Sequence, residues 1–394
     1  MKQYIYADNA ATTKLDEDAF DAMKPFLLDY YGNASQPYSF SIRGRRALKE
    51  ARMAIASYIG ALPEEIFFTS GGSESNNWAI KNFGLQSDIR TIFTSQIEHH
   101  SVLNACRSQI NKEIAVVYLP VTADGSITSS ALENAIDGEI RDRAVASCET
   151  KLVSVMLANN EIGTIQPVRE LAEIAHEHGC CFHTDAVQAV GHIPVDVQKL
   201  GVDMLSASAH KFNGPKGIGF LYIRKGTPIY PLINGGQQEN GIRAGTENIA
   251  SIVAMAAALK KNCSDMGINT KKLLRLEKVF LDILNSDGID FIRNGSENHI
   301  PGNVSVSFKG QSGEMLLHRL DLMGICVSTG SACDSKETQI SHVLKAIGLD
   351  ESYAKGTIRV SFGKDNTVED AEKIARSLIS IISPYNTKKK ISES

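Results

Sequence analysis

The feature that most constrains the fold is an alternation: between about residues 60 and 225, short β-branched runs take turns with longer helical patterns. The strand candidates are IFFT (66–69), TIFT (91–94), IAVVYL (114–119), LVSVMLA (152–158), CFHT (181–184), DMLSAS (203–208) and IGFLYI (218–223). Helical patterns lie between most of them; in Val168 to Glu177, Leu171, Ile174 and Ala175 mark one face. Repeated strand–helix units predict a mostly parallel sheet covered on both sides, because a parallel neighbour is reached only through a crossover. Ser41 to Ile59 reads as an earlier helix, with Ala47, Leu48, Ala51, Ile55 and Tyr58 forming its apolar stripe. From about residue 260 the texture turns to α+β. Helices near 270–285 and 312–323 flank the alternating strand NVSVSF (303–308). A Gly/Ser-rich loop at 328–335 then precedes a helix, the strand TIRVSF (357–362) and a last helix at about 367–383. The expected organisation is a large α/β domain over 16–260 and a smaller α+β domain made of 1–15 and 261–394.

Composition matters for what it removes. The 41 basic and 45 acidic residues leave a net charge of −4, and the basic triplet Lys388-Lys389-Lys390 reads as a solvated tail. That argues against nucleic acid as the main ligand. The longest nearly unbroken apolar run, Ile249 to Leu259, is too short to cross a bilayer. The start, MKQYIYADNAATT, lacks the basic-then-apolar order of a signal peptide. Seven cysteines, an odd count without framework spacing, read as thiols in a reducing cytoplasm.

Several stretches carry residues suited to chemistry. Thr69-Ser70-Gly71-Gly72-Ser73-Glu74-Ser75-Asn76-Asn77 follows a strand and opens a helix, whose free N–H groups and dipole suit one phosphate. It lacks the Gly-Lys-Ser/Thr ending of a Walker loop, and a plain Ser-capped helix is the simpler alternative. Ser206 to Gly217, SASAHKFNGPKG, places Lys211 at a carboxyl end of the sheet, where ligands of open α/β sheets bind. A desolvated lysine there can form a Schiff base, and Ser208 and His210 would add donors for the same phosphate. Asp185 and Gln188 follow another strand, and a buried carboxylate is suited to holding a pyridinium nitrogen protonated. Asn159-Asn160-Glu161-Ile162-Gly163 ends a further strand, and Glu98-His99-His100 another; a histidine there can stack on a ring or move protons near neutral pH.

His176, His178, Cys180, Cys181, His183 and Asp185 offer a competing metal-ligand reading. Core packing explains the cysteines better, since adjacent strand residues point to opposite faces. Finally, Ser328-Thr329-Gly330-Ser331-Ala332-Cys333-Asp334-Ser335 surrounds one cysteine with tiny residues, the setting of an accessible thiol rather than a core one.

Together and in this order the stretches DNAATT (8–13), TSGGSESNN (69–77), IEHH (97–100), NNEIG (159–163), HTDAVQ (183–188), SASAHKFNGPKGIG (206–219), RAGTEN (243–248), STGSACDS (328–335), SHVLKAIG (341–348) and IRVSFG (358–363) resemble the NifS/IscS-like cysteine desulfurases. These are pyridoxal-phosphate enzymes of the class-V aminotransferase family and of fold type I. The resemblance implies a seven-stranded, mostly parallel sheet in the large domain. It also implies that Lys211 would bind pyridoxal 5'-phosphate covalently and shuttle the Cα proton. Gly72, Ser73, Ser208 and His210 would hold the phosphate, joined by Thr246 from a second subunit of a homodimer. Asp185 would pair with the ring nitrogen and Gln188 with the phenolic oxygen, with Asn160 near the ring. His99 would stack over the ring and serve as acid or base. Arg359, with Asn160, would bind the substrate, L-cysteine, through its carboxylate. Cys333 would take the sulfur as a persulfide for an acceptor protein in iron–sulfur cluster assembly or in tRNA or cofactor thiolation. The nearest alternatives are a selenocysteine lyase or another lyase or aminotransferase of the same fold, and a non-enzymatic sulfur-relay platform. Two departures from the family pattern stand out. Gly32-Asn33-Ala34-Ser35-Gln36-Pro37-Tyr38 replaces a Gly-Asn-Pro-Ser-Ser-x-His loop, and the ending TKKKISES lacks the longer tail of some housekeeping members.

Overall fold

The structure is a computed structural model that describes residues 4–83, 89–110, 114–143, 150–329 and 340–392. Its strands are β1 (Ile5–Tyr6), β2 (Ile66–Thr69), β3 (Ile89–Ser95), β4 (Ala115–Leu119), β5 (Thr150–Ser154), β6 (Cys180–Asp185), β7 (Met204–Ser208), β8 (Gly219–Ile223), β9 (Phe291–Asn294), β10 (Asn303–Phe308), β11 (Ile325–Cys326) and β12 (Thr357–Ser361). The seven strand candidates of the first half all enter one seven-stranded sheet, in the order β2-β8-β7-β6-β5-β3-β4. Pairing is parallel from β4 through β3, β5 and β6 to β7; only β8 runs the other way, between β7 and β2.

Successive residues of these strands feed separate cores on the two faces, as the two-residue period of a strand requires. Phe93, Val153, Cys180 and Phe182 join one cluster, while Ile92, Leu152 and Cys181 join the other. The two adjacent cysteines therefore do point apart. The LVSVMLA run leaves regular pairing after Ser154: Val155 and Leu157 still donate to the carbonyls of His183 and Asp185, but Ala158 then turns back opposite Ile165.

A second core is built on the antiparallel sheet β12-β10-β9, with β1 paired in parallel to β11 beside it. Here the structure differs from the sequence reading. The apolar run at 249–259 and the pattern at 270–285 are one 38-residue helix, Ile249–Ser286, which passes straight through residue 260. Its first part, including Ile252, Met255 and Leu259, packs in the large core; Leu273, Leu276, Phe280 and Leu284 pack in the second. The change of texture is a change of core within one helix. The helix Glu17–Leu28, whose Asp16 cap accepts from the Asp18 N–H, and strand β9 are additions to the expected elements. The final helix runs longer than expected, over Val368–Ser392. Among the described residues no helix is long and apolar enough to cross a membrane.

The N-terminal segment ties the two cores together. Asn9 N–H donates to the Ser361 carbonyl and Ala10 N–H to Ser361 Oγ on β12. A few residues on, Thr13 N–H donates to the His210 carbonyl and Asp16 N–H to that of Asn213, just beyond β7.

Candidate active site

Strands β3, β5, β6 and β7 run side by side, so their carboxyl ends release four loops along one edge of the sheet. A cavity of about 330 Å³ opens there. Of the sequence candidates among the described residues, all but one line it: Gly72, Ser73, His99, Asn160, Asp185, Gln188, Ser208, His210, Lys211 and Arg359. Thr246 is exposed on the loop before the long helix and does not line it. Cys333 lies outside the described residues. Asn76, Ser101, Ala10, Ala11, Met156, Ala158, Val187 and Ser328 complete the lining.

One end of the cavity is the start of the helix Gly72–Phe83, where first-turn N–H groups have no intrahelical acceptor. Gly71 sits at φ +145, and a Cβ on Gly72 would come 2.6 Å from Val187 Cγ2, so the turn is closed to larger residues. Ser208, at the end of β7, and His210 stand beside it. Burial, then the neighbouring Lys211 and Lys216, pushes His210 down to about 4, so this imidazole is neutral at physiological pH.

Lys211 occupies a short 3₁₀ turn, Ala209–Lys211. Its Nζ donates to the Ala10 and Ala11 carbonyls at 2.6 and 2.9 Å, and its own carbonyl accepts from His192 Nε2 at 2.8 Å. The N-terminal DNAATT segment is therefore a carbonyl cradle for the amine. Gln188 Nε2 donates to the same Ala10 carbonyl at 2.9 Å. Asp185, 5% exposed at the end of β6, accepts from Asn76 Nδ2 at 2.6 Å and from the Val187 N–H.

Arg359 projects from the middle of β12 and is 4% exposed. Its guanidinium donates to Asp8 Oδ1 at 2.6 Å and to the Asn160 carbonyl at 2.8 Å, while Nε is buried without a partner among the described residues. A buried cation presented to a cavity in this way suits a carboxylate.

The residues of the metal reading disperse. His176 pairs with Asp203, His178 bonds the Ile174 carbonyl, and His183 lies between Ser154 Oγ and Ser206 Oγ. Burial drives His183 down to about 3. Among the described residues no group of three or more potential ligands converges.

The aminotransferase class-V family model matches residues 5–374. The chain belongs to the class-V aminotransferase family. Within this family it is 46% identical to the cysteine desulfurase IscS of Dictyoglomus turgidum, over the full length of both chains. A solved NifS-like protein superimposes with a TM-score of 0.88 at 37% identity, covering 97% of this chain and 100% of that one. A structure of SspA in complex with cysteine superimposes with a TM-score of 0.79 at 35% identity, over 91% of this chain and 98% of that one. The class-V fold and the NifS/IscS-like likeness expected from the motifs both stand.

Sequence reasoning missed Asn76, Ser101 and the carbonyls of Ala10 and Ala11. The first lies inside a stretch singled out for phosphate, the second directly after Glu98-His99-His100, and the third inside DNAATT. Spacing alone does not tell which polar residues of a helix's first turns face inward.

Proposed function

We propose that this chain is a pyridoxal-phosphate-dependent cysteine desulfurase that converts L-cysteine to L-alanine and passes the sulfur to Cys333. The carrying observation is the single cavity in which the Lys211 amine, the Asp185 carboxylate, a helix N-terminus and the buried Arg359 cation meet. The donor set fits the coenzyme. An amine for the aldehyde, a carboxylate for the ring nitrogen, and Gly72, Ser73, Ser208 and His210 for the phosphate are all present. Two buried polar atoms on the cavity's lining residues, Asn76 Oδ1 and Arg359 Nε, lack partners among the described residues. When bound, pyridoxal phosphate supplies an electron sink that makes the Cα proton of an amino acid acidic.

The chain's own residues do the rest. Lys211 Nζ holds the coenzyme, then takes and returns the Cα proton; Asp185 keeps the ring nitrogen protonated; Gln188 orients the ring edge; Arg359, with Asn160 beside it, binds the substrate carboxylate. The net transfer balances without an outside oxidant: the Cys333 thiol and cysteine give the Cys333 persulfide and alanine, the sulfur being oxidised as its former carbon is reduced. Burial disfavours the other thiols with resolved shifts, pushing Cys106 and Cys181 up to about 12 and Cys180 and Cys263 up to about 11. The same reading makes the protein a cytoplasmic homodimer, with Thr246 completing its partner's phosphate site. Its two domains are 16–260 and 1–15 with 261–394. An acceptor protein in iron–sulfur cluster assembly or thiolation then receives the sulfur. Incubation of purified, coenzyme-loaded protein with cysteine tests the reading: equal alanine and transferred sulfur are expected, and faster turnover of selenocysteine than of cysteine would replace it with a lyase.

A further inference from the structure

His99 Nδ1 lies 2.7 Å from Ser101 Oγ and 3.1 Å from the Ser101 backbone N–H. A peptide N–H only donates, so Nδ1 is an acceptor there, and the Ser101 hydroxyl must donate to it as well. That hydroxyl oxygen receives Asn76 Nδ2 at 2.9 Å, and the same Nδ2 donates to Asp185 Oδ2 at 2.6 Å. Turning the Asn76 amide over would set its oxygen against the Asp185 carboxylate, so the direction of every bond follows from Asp185 outward.

We propose that Asn76 and Ser101 form a one-way hydrogen-bond chain from Asp185 to His99 that keeps the imidazole neutral with its proton on Nε2. A proton on Nδ1 would have to break the Ser101 N–H contact and turn the hydroxyl away. Asn76 is 1% exposed, so its amide has no water to fall back on. Among the described residues, the charged and titratable groups acting on the ring are Asp185, Lys211 and His100, the last in ring contact with His342 at 4.8 Å. Asp185 favours the imidazolium, while burial, which is the largest effect, and then Lys211 and His100 oppose it; the balance lies below the ordinary histidine range. This rests on and deepens the desulfurase reading: the ring meets the coenzyme as a neutral imidazole with its hydrogen on Nε2, and Lys211 carries the Cα proton. Ser101 and Asn76 are positioning residues.

The test is nitrogen NMR of the full chain labelled at histidine, with and without pyridoxal phosphate, using His99→Asn to assign the signal. A neutral ring at pH 7 with its hydrogen on Nε2 is expected. Ser101→Ala should raise the His99 titration midpoint by about 0.5 to 1 pH unit, the equivalent of one lost hydrogen bond, and Ser101→Thr should restore it. Hydrogen on Nδ1, an imidazolium at pH 7, or an unmoved midpoint in Ser101→Ala would overturn the proposal. Because the readout is the tautomer and not turnover, absence of alanine production would sink the desulfurase reading while leaving this result intact.

Discussion

Glu98 offers a quantitative check on the packing beneath the site. Its side chain is fully buried; Oε1 accepts from Ser95 Oγ at 2.6 Å and from the Met156 N–H at 2.9 Å, while Oε2 has no partner among the described residues. Burial, with a smaller push from the Asp185 charge, raises its pKa from 4.5 to about 8. The folded chain therefore keeps this proton at pH values where the unfolded chain has released it. The stability tied to it is complete below the unfolded value and is lost as pH rises toward the folded one. Each pH unit inside that window is worth about 1.4 kcal/mol, so raising the pH from about 5.5 to about 7.5 should cost roughly 2 to 3 kcal/mol. Glu98→Gln has the same shape, accepts the same two hydrogen bonds and does not titrate. Urea unfolding followed through the fluorescence of Trp78, the single tryptophan, gives the stability difference between variant and parent. That difference should shift in the variant's favour by roughly 2 to 3 kcal/mol between the two pH values. An identical difference at both would refute the claim that Glu98 is protonated in the folded chain.

Other consequences follow from single contacts. A Cβ at Gly219 would press on the Ala207 carbonyl and come 2.8 Å from Gly71 Cα, so Gly219→Ala should cost about 1 to 3 kcal/mol in urea unfolding and weaken coenzyme binding through the Gly71–Gly72 turn. Cys333→Ala should still bind coenzyme and cysteine, seen as spectral changes, yet release no alanine. Arg359→Lys replaces a forked guanidinium, whose separate nitrogens reach Asp8 and Asn160, by a single ammonium that cannot hold a carboxylate through a bidentate pair, so the KM for cysteine should rise about ten- to a hundredfold.

The sheet was legible because all its strands but the half-buried edge strand β4 are largely buried on both faces, and their apolar β-branched runs are bounded by turns. Val168–Glu177 was legible because one face alone is apolar. The long helix was not, since its two halves serve different cores and so carry different patterns. The site was legible where a chemically unusual residue follows a strand, as Asp185 and Lys211 do. It was illegible where ordinary residues do the positioning. Asn76, Ser101 and two alanine carbonyls gain their roles only when β2, β3, β6 and β7 bring the segments that follow them to one edge and the N-terminal segment folds across from β12.

Borohydride reduction of the coenzyme-loaded protein, followed by peptide mapping, tests the central claim most directly. The account predicts a reduced pyridoxyl group on the peptide containing Lys211; its appearance on another lysine, or on none, would contradict it.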